Sequence, residues 1–300
     1  MGRSARRDHL EPAGRLVSFE ATDGVRLSGL LFEPKRRSRR VIVFLHGTGG
    51  ASVFEQRRTN ILAEAFTRAG IAYFPFDNRG SQIVRRLRKK KRSTSGGSAH
   101  ERIRESIFDI DGAARFLRKR GYRELIVAGH STGANKIAVY DHYRRRNPFR
   151  RYVLLAGADD TGLLYVQLGA RRFRSALARA RERRNSEELV PSSLSSQPMS
   201  WRAFYDMANP DGDYNVFSFL QQFKSRAFRY LSRIPKPALF VYGDHDEFLP
   251  PRAVEALAEA IGPKPNIEFA IMRDADHGFA GSEEDLAALI LNWLSRDDRR

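Results

Sequence analysis

Apolar runs alternate with amphipathic stretches along most of the chain. Residues 15–21 (RLVSFEA) and 24–34 (GVRLSGLLFEP) flank Asp23-Gly24, a dipeptide that favours the tight turn of a strand pair. Residues 41–47 (VIVFLHG), 71–77 (IAYFPFD), 124–130 (ELIVAGH), 151–158 (RYVLLAGA), 237–244 (PALFVYGD) and 267–272 (IEFAIM) are short, nearly continuous apolar runs. The first of these, 41–47, is the continuous run expected of a strand buried on both faces, and the others read as further strands. Helical periodicity covers 54–69, stopping at Gly70, and 132–146, with further helices near 251–261 and 283–295. Ser98-Ala99-His100-Glu101 has the S-x-x-E spacing of a capping box, which predicts a helix from there to about Arg120, ended by Gly121. Strands alternating with helices predict an α/β fold: a mostly parallel central sheet with helices on both faces.

Residues 159–234 break this rhythm. They are long, aromatic and arginine-rich and contain no buried-strand run, which predicts an inserted helical cap. The expected organisation is a basic disordered tail over 1–14, a core built from 15–158 and 235–300, and the cap between them. The cap aromatics are Phe173, Trp201, Phe204, Tyr205, Tyr214, Phe217, Phe219, Phe223, Phe228 and Tyr230. Most are expected to pack the cap onto the sheet, and others to line an acyl or aryl pocket, since ligand sites are mainly apolar.

Composition narrows the chemistry. There is no cysteine, so disulfides, thiolate zinc sites and a cysteine nucleophile are excluded. No apolar run approaches the roughly 20 residues needed to cross a bilayer. The first fifteen residues, MGRSARRDHLEPAGR, carry arginines with no apolar stretch behind them, unlike a secretory signal. A cytoplasmic location is the expectation.

The formal net charge of +18 attracts anions, and where it sits matters more than its sum. Residues 85–92, RRLRKKKR, hold seven cations in eight positions within a basic Gly/Ser-rich segment, 85–98, expected to be a loop on the same side of the sheet as the strand carboxyl ends. It is either a cationic rim that captures anionic substrates or a solvated loop. RRRNPFRR (144–151) falls on the opposite side and can offset a helix C-terminal dipole. RRFRSALARARERR (171–184) reads as a cap helix that covers a core or, alternatively, touches a membrane surface. No nucleic-acid-binding module accompanies these charges, so specific nucleic-acid recognition is not expected.

Ligands of a parallel α/β sheet bind outside the strand carboxyl ends. Ser131 lies at such an end, in Gly129-His130-Ser131-Thr132-Gly133, with glycines that permit a strained strand-to-helix turn. A serine hydroxyl needs a base, and the base needs an orienting carboxylate. His277, in ADADHGFAG, and Asp246, in VYGDHDEFLP, both follow strands. His46 and His130 are alternative bases and Asp244 an alternative acid; Asp274 and Asp276 are too near His277 in sequence to orient it easily. The Gly-rich turn LHGTGGAS (45–52) could aim the backbone N–H of Thr48, or alternatively Gly49, at developing oxyanion charge, with the N–H of Thr132 as second donor.

In these motifs the chain resembles the α/β-hydrolase superfamily: His46-Gly47-x-Gly49-Gly50, Gly129-x-Ser131-x-Gly133, Gly243-x-x-Asp246 and Asp276-His277-Gly278, in that order. The likeness covers roughly 16–158 and 235–298. GGSAHE (96–101), GHSTGANK (129–136) and AGADDTG (156–162) look similar to bacterial hydrolases, and GHSTG also resembles fungal hydrolases that cleave siderophore esters. The resemblance implies a serine hydrolase of the esterase-like branch. Ser131, His277 and Asp246 would form its triad, Thr48 and Thr132 its oxyanion hole, and no cofactor or metal is required. The expected substrate is a small-molecule carboxylic ester, with thioester or small amide open and an anionic one favoured by the charge. An acyltransferase using the same triad and a non-catalytic binding protein are the alternatives.

Overall fold

The computed structural model describes residues 13–54, 57–220 and 228–297. β1 (Gly14–Glu20) and β2 (Arg26–Phe32) pair antiparallel about the Asp23-Gly24 turn. β2 also runs antiparallel to β4 (Ala72–Asp77). β3 (Arg40–Leu45), β4, β7 (Glu124–His130), β8 (Phe149–Leu155), β9 (Ala238–Gly243) and β10 (Ile267–Met272) run parallel. The sheet order is β1-β2-β4-β3-β7-β8-β9-β10, so β3 and β7 lie at its centre. Every residue of β4 and β9 is buried, whereas β1 alternates near its end, because only the inner strands are covered on both sides.

α1 (Arg57–Arg68) packs against α7 (Glu283–Asp297), and α2 (Ser106–Lys119) against α3 (Thr132–Tyr143). α6 (Ala253–Ile261) links β9 to β10. The expected α/β architecture is therefore present, with two local corrections.

The segment 85–98 is not a loop. It forms a hairpin, β5 (Arg85–Lys89) with β6 (Arg92–Gly96). One apolar side chain decides this: Leu87 points inward and is 3% exposed, while its cationic neighbours point out. Lys89 Nζ pairs with Asp23 at 3.0 Å, tying the hairpin to the β1–β2 turn.

Ser98 to Glu101 does not cap α2 either. The chain first makes a 3₁₀ turn at Ile103–Glu105, and α2 begins at Ser106. Glu101 instead turns inward to Lys136, with Nζ to Oε1 2.7 Å and both side chains fully buried.

Between β8 and β9 lie α4 (Asp160–Glu182), kinked at Gly169, and α5 (Trp201–Ala208). They share an apolar cluster that includes Leu164, Leu168, Phe173, Trp201 and Phe204. The guanidinium groups of Arg179 and Arg183 lie 5.1 and 5.3 Å from the Trp201 ring, so part of the 171–184 charge covers this cluster. Tyr214, Phe217, Phe219 and Phe228 belong instead to the main core beneath the sheet, and Phe223 lies outside the described residues.

Candidate active site

β7 gives way to α3 at Ser131, whose φ of 57° and ψ of −129° place it outside the ordinary helix and strand regions. The turn is tight because it folds back on itself and because the end of β3 presses on it. A Cβ at Gly129 would lie 2.4 Å from the Gly133 carbonyl oxygen, and one at Gly133 would lie 2.3 Å from that of Leu45. The Ser131 N–H is anchored to the Leu155 carbonyl at 2.8 Å. These contacts hold the hydroxyl at the strand end, in a cavity of about 560 Å³.

His277 lines the same cavity. Its Nδ1 lies 2.9 and 3.0 Å from the two carboxylate oxygens of Asp246. A carboxylate accepts, so Nδ1 carries the proton and Nε2 is left as the basic nitrogen. The Asp246 side chain is 1% exposed and is itself fixed by the Phe248 N–H, 3.0 Å from Oδ1. The Phe248 ring stands edge-on to the imidazole, with centroids 4.7 Å apart. Ser131 and His277 make no direct hydrogen bond in this structure, a bond that commonly tightens only around substrate.

The other candidates are occupied elsewhere. His46 donates from Nδ1 to the Gly47 carbonyl at 2.8 Å and accepts the Asn78 N–H at Nε2, 3.2 Å away. Burial and the Lys136 cation push it down to about 3, so it is neutral and has no free nitrogen. His130 donates from Nε2 to the His277 carbonyl at 2.7 Å, and burial with nearby Arg58 holds it well below the usual imidazole range. Asp244 accepts the Ala275 N–H and Asp276 the Ala280 N–H.

Thr48 lines the cavity, and a Cβ at Gly47 would sit 3.0 Å from the Ser131 Cβ, so this turn approaches Ser131 closely. A Cβ on Gly49 would instead face Gln197. Thr132 opens α3, where a helix N–H has no intrahelical acceptor.

Several cavity residues escaped sequence reasoning. Asp160 accepts from Thr132 Oγ1 at 3.0 and 3.1 Å and from Asn135 Nδ2 at 3.2 Å. Burial, helped by neighbouring Asp159, pushes its carboxyl up to about 7. Arg58 Nη1 donates to the Gly278 carbonyl at 2.9 Å, and exposed Arg57 shares the cavity wall. The β5–β6 hairpin does not line this cavity, and neither do the described aromatics of 159–234. Among the described residues, the arginines of the cavity are Arg57 and Arg58, its phenylalanine is Phe248, and 159–234 contributes Asp160 and Leu163.

A mostly parallel sheet with a serine on its central strand-to-helix turn, and an imidazole–carboxylate pair at later strand ends, defines an α/β-hydrolase. Within that class the chain belongs to the family described as serine aminopeptidase, S33, which matches residues 36–285. No curated protein matches the chain by sequence. Among solved structures it is similar to Est1E from Butyrivibrio proteoclasticus with ferulic acid bound, at 16% identity over 95% of this chain and 100% of that one, TM-score 0.67. The α/β hydrolase GrgF from Penicillium sp. sh18 is 17% identical over 95% and 98% of the two chains, TM-score 0.69. A soluble variant of monoglyceride lipase from Saccharomyces cerevisiae, in complex with a substrate analog, is 14% identical over 99% of each, TM-score 0.66. At these identities the likeness establishes the shared fold. No helix among the described residues is long and apolar enough to cross a membrane.

Proposed function

We propose that the protein hydrolyses a carboxylic ester through an acyl-enzyme on Ser131. The observation that carries this is the 2.9 Å contact of His277 Nδ1 with Asp246, in the cavity that also holds Ser131. Ser131 Oγ attacks the ester carbonyl while His277 Nε2 takes its proton, and Asp246 stabilises the imidazolium that forms. The N–H groups of Thr48 and Thr132 receive the oxyanion. The protonated imidazole then gives its proton to the leaving alkoxide, and water attacks the acyl group with His277 again as base. Est1E and monoglyceride lipase, with their bound ferulic acid and substrate analog, agree with an ester rather than a peptide.

Ala51, Ala158, Leu163 and Phe248 give the cavity an apolar wall, and Arg57 brings a cation without an ion-pair partner among the described residues. We therefore assign a small ester whose acyl or alcohol part carries negative charge. Residues 159–234 act as the cap, contributing Asp160 and Leu163 at their start. The absence of cysteine agrees with a reducing, cytoplasmic setting.

A fluorophosphonate probe with wild type and Ser131→Ala tests the reading, together with short p-nitrophenyl esters and amino-acid p-nitroanilides. Labelling confined to wild type, with ester cleavage lost in the variant, is the expected result. Unlabelled Ser131, or ester turnover unchanged by the substitution, overturns it. Faster cleavage of the anilides than of the esters moves the assignment to a peptidase.

A further inference from the structure

We infer that the buried Glu101–Lys136 ion pair is a positioning device for the oxyanion turn, acting through Asn78 and His46. The inference rests on the hydrolase reading above, because it assumes that the Thr48 N–H receives the oxyanion.

The chain of contacts is continuous. Lys136 Nζ lies 2.7 Å from Glu101 Oε1 and 3.2 Å from Asn78 Oδ1. Asn78 Oδ1 also accepts the Gly80 N–H at 3.0 Å. The Asn78 N–H reaches His46 Nε2, and His46 Nδ1–H reaches the Gly47 carbonyl oxygen. Asn78 and His46 are fully buried, so water does not compete for any of these groups.

The last contact is the decisive one. The Gly47 carbonyl and the Thr48 N–H are two ends of a single planar trans peptide and point in opposite directions. Holding the carbonyl on His46 therefore sets the direction of the Thr48 N–H. His46 can do so only as the Nδ1–H tautomer, and that tautomer is selected by the N–H donated to Nε2 from Asn78.

Lys136 anchors the residue that carries this donor. The N–H that reaches His46 is the backbone N–H of Asn78. The ammonium attracts the side-chain amide oxygen of the same residue and repels its NH₂, so that oxygen stays on Lys136 and on the Gly80 N–H and holds the Asn78 main chain in place. Glu101 supplies the counter-charge that lets Lys136 stay buried. The loop approaches that carboxylate so closely that a Cβ at Gly80 would fall 2.2 Å from its carboxyl carbon. Arg79, between Asn78 and Gly80, bonds Asp109 from both its backbone N–H (2.9 Å) and its guanidinium (2.7 Å), which anchors the loop to α2. The same segment also holds the far end of the turn, because Asp77 accepts the Val53 N–H at 2.9 Å and the Ser52 hydroxyl at 3.1 Å.

A buried ion pair is weak evidence of stabilisation, since an apolar pair of similar volume often does as well. That separates positioning from a merely structural role. Wild type, Lys136→Met, the double variant Lys136→Met/Glu101→Met, and Asn78→Ala are compared. Folded protein is quantified by Tm, kinetics use a p-nitrophenyl ester, and the His46 ring is followed by side-chain ¹⁵N NMR. The double variant is expected to recover most of the Tm lost by Lys136→Met, with kcat still about 10- to 100-fold below wild type and KM within about twofold. The His46 ring signals are expected to depart from the pure Nδ1–H pattern. Asn78→Ala leaves the ion pair in place and is expected to lower kcat about tenfold with KM unchanged; it decides the matter should the double variant not fold. Wild-type kcat in the double variant or in Asn78→Ala, or an unaltered His46 signal in Lys136→Met, overturns the inference. Failure of the fluorophosphonate to label wild-type Ser131 overturns the hydrolase reading and this one with it, whereas normal labelling with unaltered variant kinetics overturns only the positioning role.

Discussion

His130 Nε2 lies 2.7 Å from the backbone carbonyl oxygen of His277. The residue just before the proposed nucleophile thus holds the main chain of the proposed base, and the two rings stand 5.0 Å apart. Because burial keeps His130 neutral, its Nε2–H is a constant donor across the working pH range. Replacing His130 by Ala should lower kcat about 10- to 100-fold through misplacement of His277, without moving the acid limb of the rate profile. A shifted acid limb in steady-state assays would show that His130 itself titrates in the reaction.

Asp246→Asn keeps the shape of the acid but can no longer accept the Nδ1 proton through both oxygens. The imidazole then settles in the wrong tautomer, and kcat should fall about 10⁴-fold. Circular dichroism and Tm should stay close to wild type. A loss under tenfold would point to another residue as the orienting acid.

Gly129→Ala and Gly133→Ala each force a methyl group to within 2.4 Å or less of a backbone carbonyl. Urea unfolding should show losses of about 3 kcal/mol or more, the upper end for overpacking, because each methyl meets backbone rather than a movable side chain. Gly70→Ala, with positive φ but nothing within 4 Å, is the control and should cost only its backbone strain, about 1–2 kcal/mol. Equal losses at all three sites would argue against the close crossing at Ser131.

Burial raises several carboxyls above the ordinary aspartate value of 3.8, Asp160 and Asp206 to about 7 and Asp159 to about 6, with Asp77 and Asp109 moved in the same direction. A raised carboxyl binds its proton more tightly folded than unfolded. Its stabilising contribution is therefore complete below pH 3.8 and is lost as pH climbs through its folded value. His46, depressed from 6.5 to about 3, behaves oppositely: its contribution is present above pH 6.5 and lost as pH falls through about 3. Asp160→Asn should remove one carboxyl from this balance, so its Tm relative to wild type should climb by about 2–4 °C between pH 5 and 8. Parallel Tm curves for the two proteins would refute a raised Asp160.

Arg57, and not the cationic hairpin, lines the cavity. Arg57→Gln should reduce kcat/KM for an anionic ester about tenfold at low salt and much less at high salt, while a neutral ester is little affected. Neutralising Arg88, Lys90 and Lys91 together should change the anionic preference less. The reverse ranking would return the hairpin to the role of a substrate-capturing rim.

The placement of Ser131, His277 and Asp246 after strand ends was legible because each follows an apolar run, and such runs announce a strand end from local sequence alone. Glu101 was misread for the opposite reason. Its spacing from Ser98 satisfies a local capping rule, but the partner that claims its charge, Lys136, comes from another helix. Leu87 is the lone apolar residue in a cationic run, too little to display the alternation of a strand. The aromatics of 159–234 look alike in sequence, and only packing divides Trp201 and Phe204 from Phe217 and Phe219. Asp160 carried no local signal, since Thr132 and Asn135 meet it from across the sheet end.

The Gly47–Thr48 peptide carries one further consequence. A half-turn of that single plane would swap hydrogen for oxygen at the mouth and convert a cradle for negative charge into a wall against it. No side chain would have to leave its place. On the proposed reading, the imidazole clamped on the Gly47 oxygen is the latch against that flip, so the oxyanion donor would face the right way before an acyl group arrives.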